Sequence, residues 1–429
     1  MEVQGKNRQI EKWIFRILIL GCILVNIKNI FTCFDVDAEY ALAMPYRMLR
    51  GDKMLSQMWE PHQTSAFLAA IFMKMYLGLF HTTTGIVVYM NLVGVCFKGV
   101  VTLILYKTLK EVADRKALLC ACVFFFTMNP KAVLMPEFSN MQIWFSALLF
   151  CSLFQYFRSQ KKGWLFLAGA FLCLEVLAYP SCVIVYFGVL LCLVWYSEKK
   201  GRDIFLLTGE CILAGSLYVL YFVSRMGGGE FLDNIREIVR GDASHGESIF
   251  SKLGGYGKEA LWILAVIILN AALTCIVVKA LSFVKRRRNR GERLKPKREW
   301  YIPCFLLCLC VQAFIGTVAI MAGAGRQDAY FQHHIRQGYQ AVLFIVWGVL
   351  GWRLCRYCGE EIARACRIGL LLSLCGIAAV LTLTNLTVFS TLLYGILGVC
   401  VSMPAYHSAK GVGGVAEKEN VCGCSFCIA

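Results

Sequence analysis

Residues 64–80 read Thr64-Ser-Ala-Phe-Leu-Ala-Ala-Ile-Phe-Met-Lys74-Met-Tyr-Leu-Gly-Leu-Phe80. Whether they cross a bilayer decides the topology of everything that follows. A membrane span needs about 20 apolar residues. This stretch is shorter and carries Lys74 in its middle. A crossing here would also place the basic block Lys107, Lys110, Arg115 and Lys116 on the side opposite to the other basic blocks. Loops rich in Lys and Arg collect on the cytoplasmic face. The stretch is therefore read as a helix lying at the outer interface, or as a re-entrant segment packed on protein.

Working outward, apolar runs of span length lie near 13–33, 85–106, 117–134, 141–157, 164–180, 181–197, 204–223, 259–284, 301–322, 339–357, 367–386 and 388–404. That makes about 12 spans, with a tight hairpin expected at Tyr179-Pro180-Ser181. The basic blocks then share one side. They are Lys6/Arg8/Lys12, Lys107–Lys116, Arg158/Lys161/Lys162, Lys199/Lys200/Arg202, 285–298, and Arg353/Arg356/Arg364/Arg367. That side is the cytoplasm, so the N-terminus is cytoplasmic and the first apolar run is an uncleaved span.

Composition agrees. The chain is 58% hydrophobic and only 17% charged, where soluble domains carry about 25% charge. The net charge of +17 sits in short blocks between apolar runs, with no recognition module, so nucleic acid is excluded as a partner. Many of the 22 cysteines fall inside apolar runs, where Cys acts as a small hydrophobe rather than a disulfide partner. The fold class is an all-α polytopic membrane helix bundle over 1–410, integral to the plasma membrane. Residues 411–429 form a cytoplasmic tail with Cys422, Cys424 and Cys427, expected to be disordered.

The first outside loop, 34–84, opens with Cys33-Phe-Asp35-Val-Asp37-Ala-Glu39-Tyr40 and continues to Arg50-Gly51-Asp52. Clustered carboxylates suit a general base or a divalent cation, and they equally suit a solvated acidic cap on a helix. Spacing alone leaves these open. Tyr40, Ala41, Met44, Met48 and Leu49 recur at helical spacing, so an amphipathic helix starts at the cluster and Gly51 ends it. Trp59-Glu60-Pro61-His62-Gln63 then leads into the 64–80 helix.

An opening span, then Asp37-Ala38-Glu39-Tyr40, then Arg50-Gly51-Asp52, a proline and an interfacial helix resemble the GT-C superfamily of membrane glycosyltransferases. The likeness is to its protein O-mannosyltransferase and aminoarabinose-transferase branch. It covers mainly residues 13–110 and the many-span layout. Ala38 separates two acids that the family pattern has adjacent. The resemblance implies a GT-C-like fold with interfacial helices in the first outside loop. It implies transfer of a hexosyl or pentosyl group from a polyprenyl-phosphate-linked sugar to a glycan, lipid or protein acceptor outside the cytoplasm. The transfer would invert configuration, with Asp37 as the base. Glu39 and Asp35 would orient it or help hold a metal, so a divalent cation is the one cofactor in view.

A leaving phosphate needs cations, and arginine binds phosphate bidentately. The fourth outside loop, 323–338, offers Arg326 and Arg336 with His333 or His334 assisting. In the short second loop, 129–140, Glu137 corresponds to an acid that faces the same cavity in the related enzymes. The competing reading of the fourth loop is an ordinary polar loop, and that of the second a simple interhelical turn. Tyr40 and His62 complete the expected substrate-binding set. Lys98 and Glu175 lie inside spans, where ionisable groups are functional or paired; Lys98 reads as structural. The chain lacks GxxxxGK[ST], GxSxG and HExxH motifs. A transporter or flippase of lipid-linked saccharides is the competing class and would show sequence repeats; none is seen. A polysaccharide polymerase or ligase, and a non-catalytic scaffold, are further alternatives.

Overall fold

The computed structural model describes residues 2–32, 36–58, 62–129, 133–241, 249–288, 301–323, 329–383 and 388–411. Among these the chain is helical throughout, with one isolated bridge between Met54 and Met58 and no strand. The chain divides into two compact units, 1–246 with 371–383, and 247–370 with 384–429.

In the first unit α1 (Glu2–Thr32) is followed by α2 (Val36–Arg50), α3 (Ala66–Phe80) and α4 (Ile86–Leu109). Then come α5 (Arg115–Thr127), α6 (Phe138–Ser159), α7 (Lys162–Ala178), α8 (Val183–Tyr196), α9 (Lys200–Met226) and α10 (Gly228–Gly241). The chain reverses between α7 and α8 through a 3₁₀ turn at Pro180–Cys182, as the sequence led one to expect.

α6 is the central rod. Nearly every side chain from Ser139 to Phe157 is buried. In lipid no hydrophobic force drives helix against helix, so packing and polar contacts hold the bundle. Phe97 of α4 stacks on Trp144 at 5.0 Å. At the other end of α6, Tyr156 and Ser197 both donate to the buried carboxylate of Asp203, which Arg202 also meets at 3.2 Å. Arg158 reaches Glu111 at 3.2 Å, so the loops carrying the basic blocks around 111, 158 and 200 gather at one end of this unit.

The opposite end holds the first loop. Asn91 donates to Ile30 O at 3.1 Å, which levels the start of α4 with the end of α1. Both ends of α3 meet this same end of the unit. Its start lies beside the end of α7, where Thr64 Oγ1 donates to Leu177 O at 2.6 Å. Its last turns pack Met73 and Tyr76 on Ile86 and Met90 at the start of α4.

α2 is amphipathic as its spacing requires. Ala38 joins a cluster with Ala69, Met73, Ile86, Met90, Val133 and Met135. Met44 joins a second one with Met54, Leu55, Met58, Ala66, Phe222 and Phe231. Gly51 ends the helix with φ +103°, a left-handed geometry that glycine adopts at little cost. Its N–H donates to Met48 O at 3.2 Å and that of Asp52 to Arg47 O at 3.1 Å. These two bonds satisfy carbonyls that the helix end leaves free.

In the second unit α11 (Ile249–Arg288), α12 (Tyr301–Gly323) and α13 (Ala329–Leu354) share a core of Ile263, Val266, Leu309, Ala341 and Val342. Asn270 ties α11 to α12, donating to Phe305 O at 3.0 Å and accepting from Gln312 at 2.9 Å. α14 (Glu360–Leu383) contributes to both units. After it come α15 (Val388–Leu392) and α16 (Ile396–Gly411). Val388 N–H donates to Glu259 Oε2 at 2.5 Å, and Trp347 meets Tyr406 edge-on at 5.8 Å.

Seven helices among the described residues are long and apolar enough to cross a membrane, against about 12 expected from the sequence. The difference has local causes. The 117–134 run ends as helix at Thr127, leaving 13 residues, or about 20 Å at 1.5 Å per residue. α7 and α8 have 17 and 14 residues. α6 has the length but carries Ser, Asn and Gln facing protein. The 63–80 segment is one of the seven by length and composition, so apolarity alone does not separate an interfacial helix from a span. Every cysteine among the described residues is free.

Gly94 shows how closely the second loop lies on α4. A Cβ there would stand 1.9 Å from Leu134 O, whereas one at Gly99 on the same helix would have 3.7 Å of clearance. Gly94→Ala is expected to cost about 1–3 kcal/mol through overpacking. Gly99→Ala should be nearly neutral, as thermal unfolding in detergent would show.

Candidate active site

The acid-bearing segment begins the first turn of α2. Asp35 lies outside the described residues. Asp37 is helical at the backbone, while its side chain is outside the described set. Glu39 is exposed. Acids at a helix N-terminus and arginines in its last turn both complement the helix dipole, and α2 has Arg47 and Arg50 at the far end. Tyr40 points into the Met44 cluster, and its buried hydroxyl has no hydrogen-bond partner.

What positions this helix is the neighbouring second loop. Residues 133–137 are all buried, so this part is not the solvent-facing polar turn that its composition promised. Val133 and Met135 pack with Ala38 of α2 and Met90 of α4, and the backbone carbonyls must find donors inside the protein. Asn140 Nδ2 supplies them, donating to Val133 O at 2.9 Å and Met135 O at 3.0 Å. Glu137, only 2% exposed, caps α6: its Oε1 accepts the Asn140 N–H at 2.9 Å. Lys98 serves the same loop from within α4. Its ammonium donates to Met128 O and, at 2.7 Å, to Asn129 Oδ1, a structural role as the sequence implied.

His62 is buried beside this cap. Its ring stacks on Phe138 at 4.2 Å with planes 13° apart, and tilts against Tyr179 at 4.5 Å. The structure therefore brings His62 and Glu137 to one place, around the α6 N-terminus and the α7–α8 turn. Nearby lie Gln63, which accepts the Leu55 N–H at 2.7 Å, and three residues the sequence did not assign to a site. Glu175 is wholly buried, and Gln142 Oε1 and Trp144 Nε1 are buried without a hydrogen-bond partner. The sequence signal for Glu175 was an acid inside an apolar run. Gln142 and Trp144 gave none.

Ala38 shares its cluster with Val133 and Met135. The residue after Asp37 thus packs on the loop that carries Glu137. Chemically the arrangement offers a carboxylate-bearing helix start, a buried histidine between two aromatic rings, and a polar floor. Among the described residues no group of three or more His, Cys, Asp or Glu could hold a metal ion. Arg326 lies outside the described residues. His333, His334 and Arg336 belong to α13, with side chains outside them.

Neither a protein-family model nor a curated protein sequence matches the chain. Among solved structures, one similar chain is the Archaeoglobus fulgidus oligosaccharyltransferase tethered with an acceptor peptide containing the NVT sequon. It has TM-score 0.45 and 11% identity, covering 94% of this chain and 50% of that one. Another is the archaeal oligosaccharyltransferase AglB from the same organism, in complex with an inhibitory peptide and a dolichol-phosphate. It has TM-score 0.47 and 13% identity, covering 96% of this chain and 52% of that one. The present chain thus spans about half the length of these neighbours.

The cap can be tested apart from any activity. Glu137→Ala removes the acceptor for the Asn140 N–H and should cost about 1 kcal/mol or more, whereas Glu137→Gln keeps an oxygen and should cost less. Thermal unfolding of both variants in detergent would resolve the order.

Proposed function

We propose that this chain is a membrane glycosyltransferase of GT-C type. It moves a sugar from a polyprenyl-phosphate donor to an acceptor outside the cytoplasm. The observation that carries the reading is the acid-bearing start of α2. Ala38 packs on the second loop and Gly51 closes the other end, so Asp37 and Glu39 belong to a packed helix rather than a loop.

In the proposed reaction Asp37 accepts the proton of the acceptor hydroxyl. The acceptor oxygen forms a bond to the anomeric carbon from the face opposite the leaving group. The carbon–oxygen bond to phosphate breaks, its electron pair leaves with the lipid phosphate, and configuration inverts. Positive charge develops on the sugar ring, and a carboxylate suits it. Glu39 and Asp35 are assigned to orienting Asp37. Tyr40, His62 and Glu137 are assigned to the substrate pocket. Arg326 and Arg336, with His333 or His334, are assigned on sequence alone to the phosphate.

The basic loops support an extracytoplasmic placement. The α2–α3 segment lies at the end of the first unit opposite Glu111, Arg158 and Arg202. That both ends of α3 meet this same end supports an interfacial rather than a crossing helix. A reporter active only outside the cytoplasm, fused after residue 82, is expected to be active, and one fused after residue 112 silent. Activity reversed between the two would make α3 a span.

Asp37→Asn is expected to lower transfer by about 10²–10⁴-fold, the usual contribution of a general base. The measure is loss of a surface glycan at unchanged protein level, with lipid-linked saccharide export assayed in parallel. Full activity in the variant removes Asp37 from the mechanism, and a loss confined to export makes the chain a transporter.

A further inference from the structure

Far from the acids, at the other end of α2, lies a cleft of about 150 Å³ that the transfer reaction does not use. It is formed where the Gly51 turn meets the last turn of α9. Met48, Met54 and Phe222 give it an apolar floor, and Lys53 and Arg225 bring two cations. Asp52 also lines it, but that carboxylate is held by Arg47 at 2.6 Å. Among the described residues neither Lys53 nor Arg225 has a carboxylate partner. Arg225 stands over the Tyr221 ring at 4.7 Å, a contact that orders the guanidinium while leaving its donors available.

The size is that of a headgroup, not a saccharide. Liquid water occupies about 30 Å³ per molecule, so the cleft holds on the order of five waters' volume. A sugar-binding or drug-sized pocket starts near about 300 Å³. Asp37 and Gly51 are separated by about 21 Å along α2, at about 1.5 Å per residue. One phosphate cannot serve both the acid end and this cleft.

The setting identifies the source of the anion. Only 6% of the apolar window in Lys200–Met226 is buried within the protein, the pattern of a helix that faces lipid for most of its length. A cleft at its last turn sits at the membrane boundary, where lipid phosphates lie. An apolar floor under two cations matches the first carbons and the phosphate of such a lipid.

We propose that Lys53 and Arg225 bind the phosphate of an anionic membrane phospholipid, clamping the first outside loop to the end of α9. The site is independent of the glycosyl-transfer reading, since its readout is lipid binding. The test uses the full chain in detergent, titrated with phosphatidylglycerol or phosphatidylcholine and read by native mass spectrometry and thermal shift. Wild type should retain phosphatidylglycerol over phosphatidylcholine. Lys53→Gln and Arg225→Gln should each weaken retention about tenfold, as expected for loss of a charge-assisted contact. Arg225→Lys should restore most of it. Equal retention by wild type and the double Gln variant overturns the proposal. So does full competition by millimolar inorganic phosphate, which would reassign the cleft to a soluble phosphate compound.

Discussion

The buried loop before α6 is the constraint on which the α2 end of the first unit depends. Non-helical backbone at membrane depth survives only when its polar groups are satisfied within protein. Here three side chains do so from three directions. Asn140 holds the carbonyls of Val133 and Met135, Glu137 caps α6, and Lys98 reaches from α4 to Met128 and Asn129. With those bonds made, the loop becomes an apolar surface. Gly94 lets it lie directly on α4, and Ala38 then seats the start of α2 on it.

A charged residue can therefore fix the geometry of a region through its own hydrogen bonds. Glu137 was a site candidate by sequence analogy, and the structure gives it a capping bond in a buried setting. Lys98 is buried among apolar helices, yet its ammonium meets the open carbonyl end of α5. Cations are favoured at helix C-termini and acids at N-termini. Both residues follow that rule, and both fix the geometry that α2 inherits.

The sequence made α2 legible because its apolar residues recur at helical spacing and a glycine follows. Its end at Gly51, with the expected left-handed turn, needed nothing from the rest of the chain. The hairpin at Pro180 was legible for the same local reason. Span length was less so. Residues 117–126 are continuously apolar, but Asn129-Pro130 disfavours helix just before it, and α5 stops at Thr127. Asp203 passed unnoticed inside a basic block because one of its partners, Tyr156, is 47 positions away. His62 was recognised as a candidate, but its stacking on Phe138 and Tyr179 depends on three elements meeting. No local pattern encodes that.

α2 also separates two kinds of chemistry along one rod. Its acids crowd the start and its arginines the end, each placed where the helix dipole favours them. Apolar clusters on two sides hold the rod between them. A rigid helix of this length keeps a carboxylate-lined region and a cation-lined region apart by more than the reach of a side chain. A polar group bound at one end is therefore not neutralised by charges at the other. The proposed proton acceptor and the proposed phosphate cleft then lie at opposite ends of one helix. Both depend on the same packing, through Ala38 at the start and Met44 near the end.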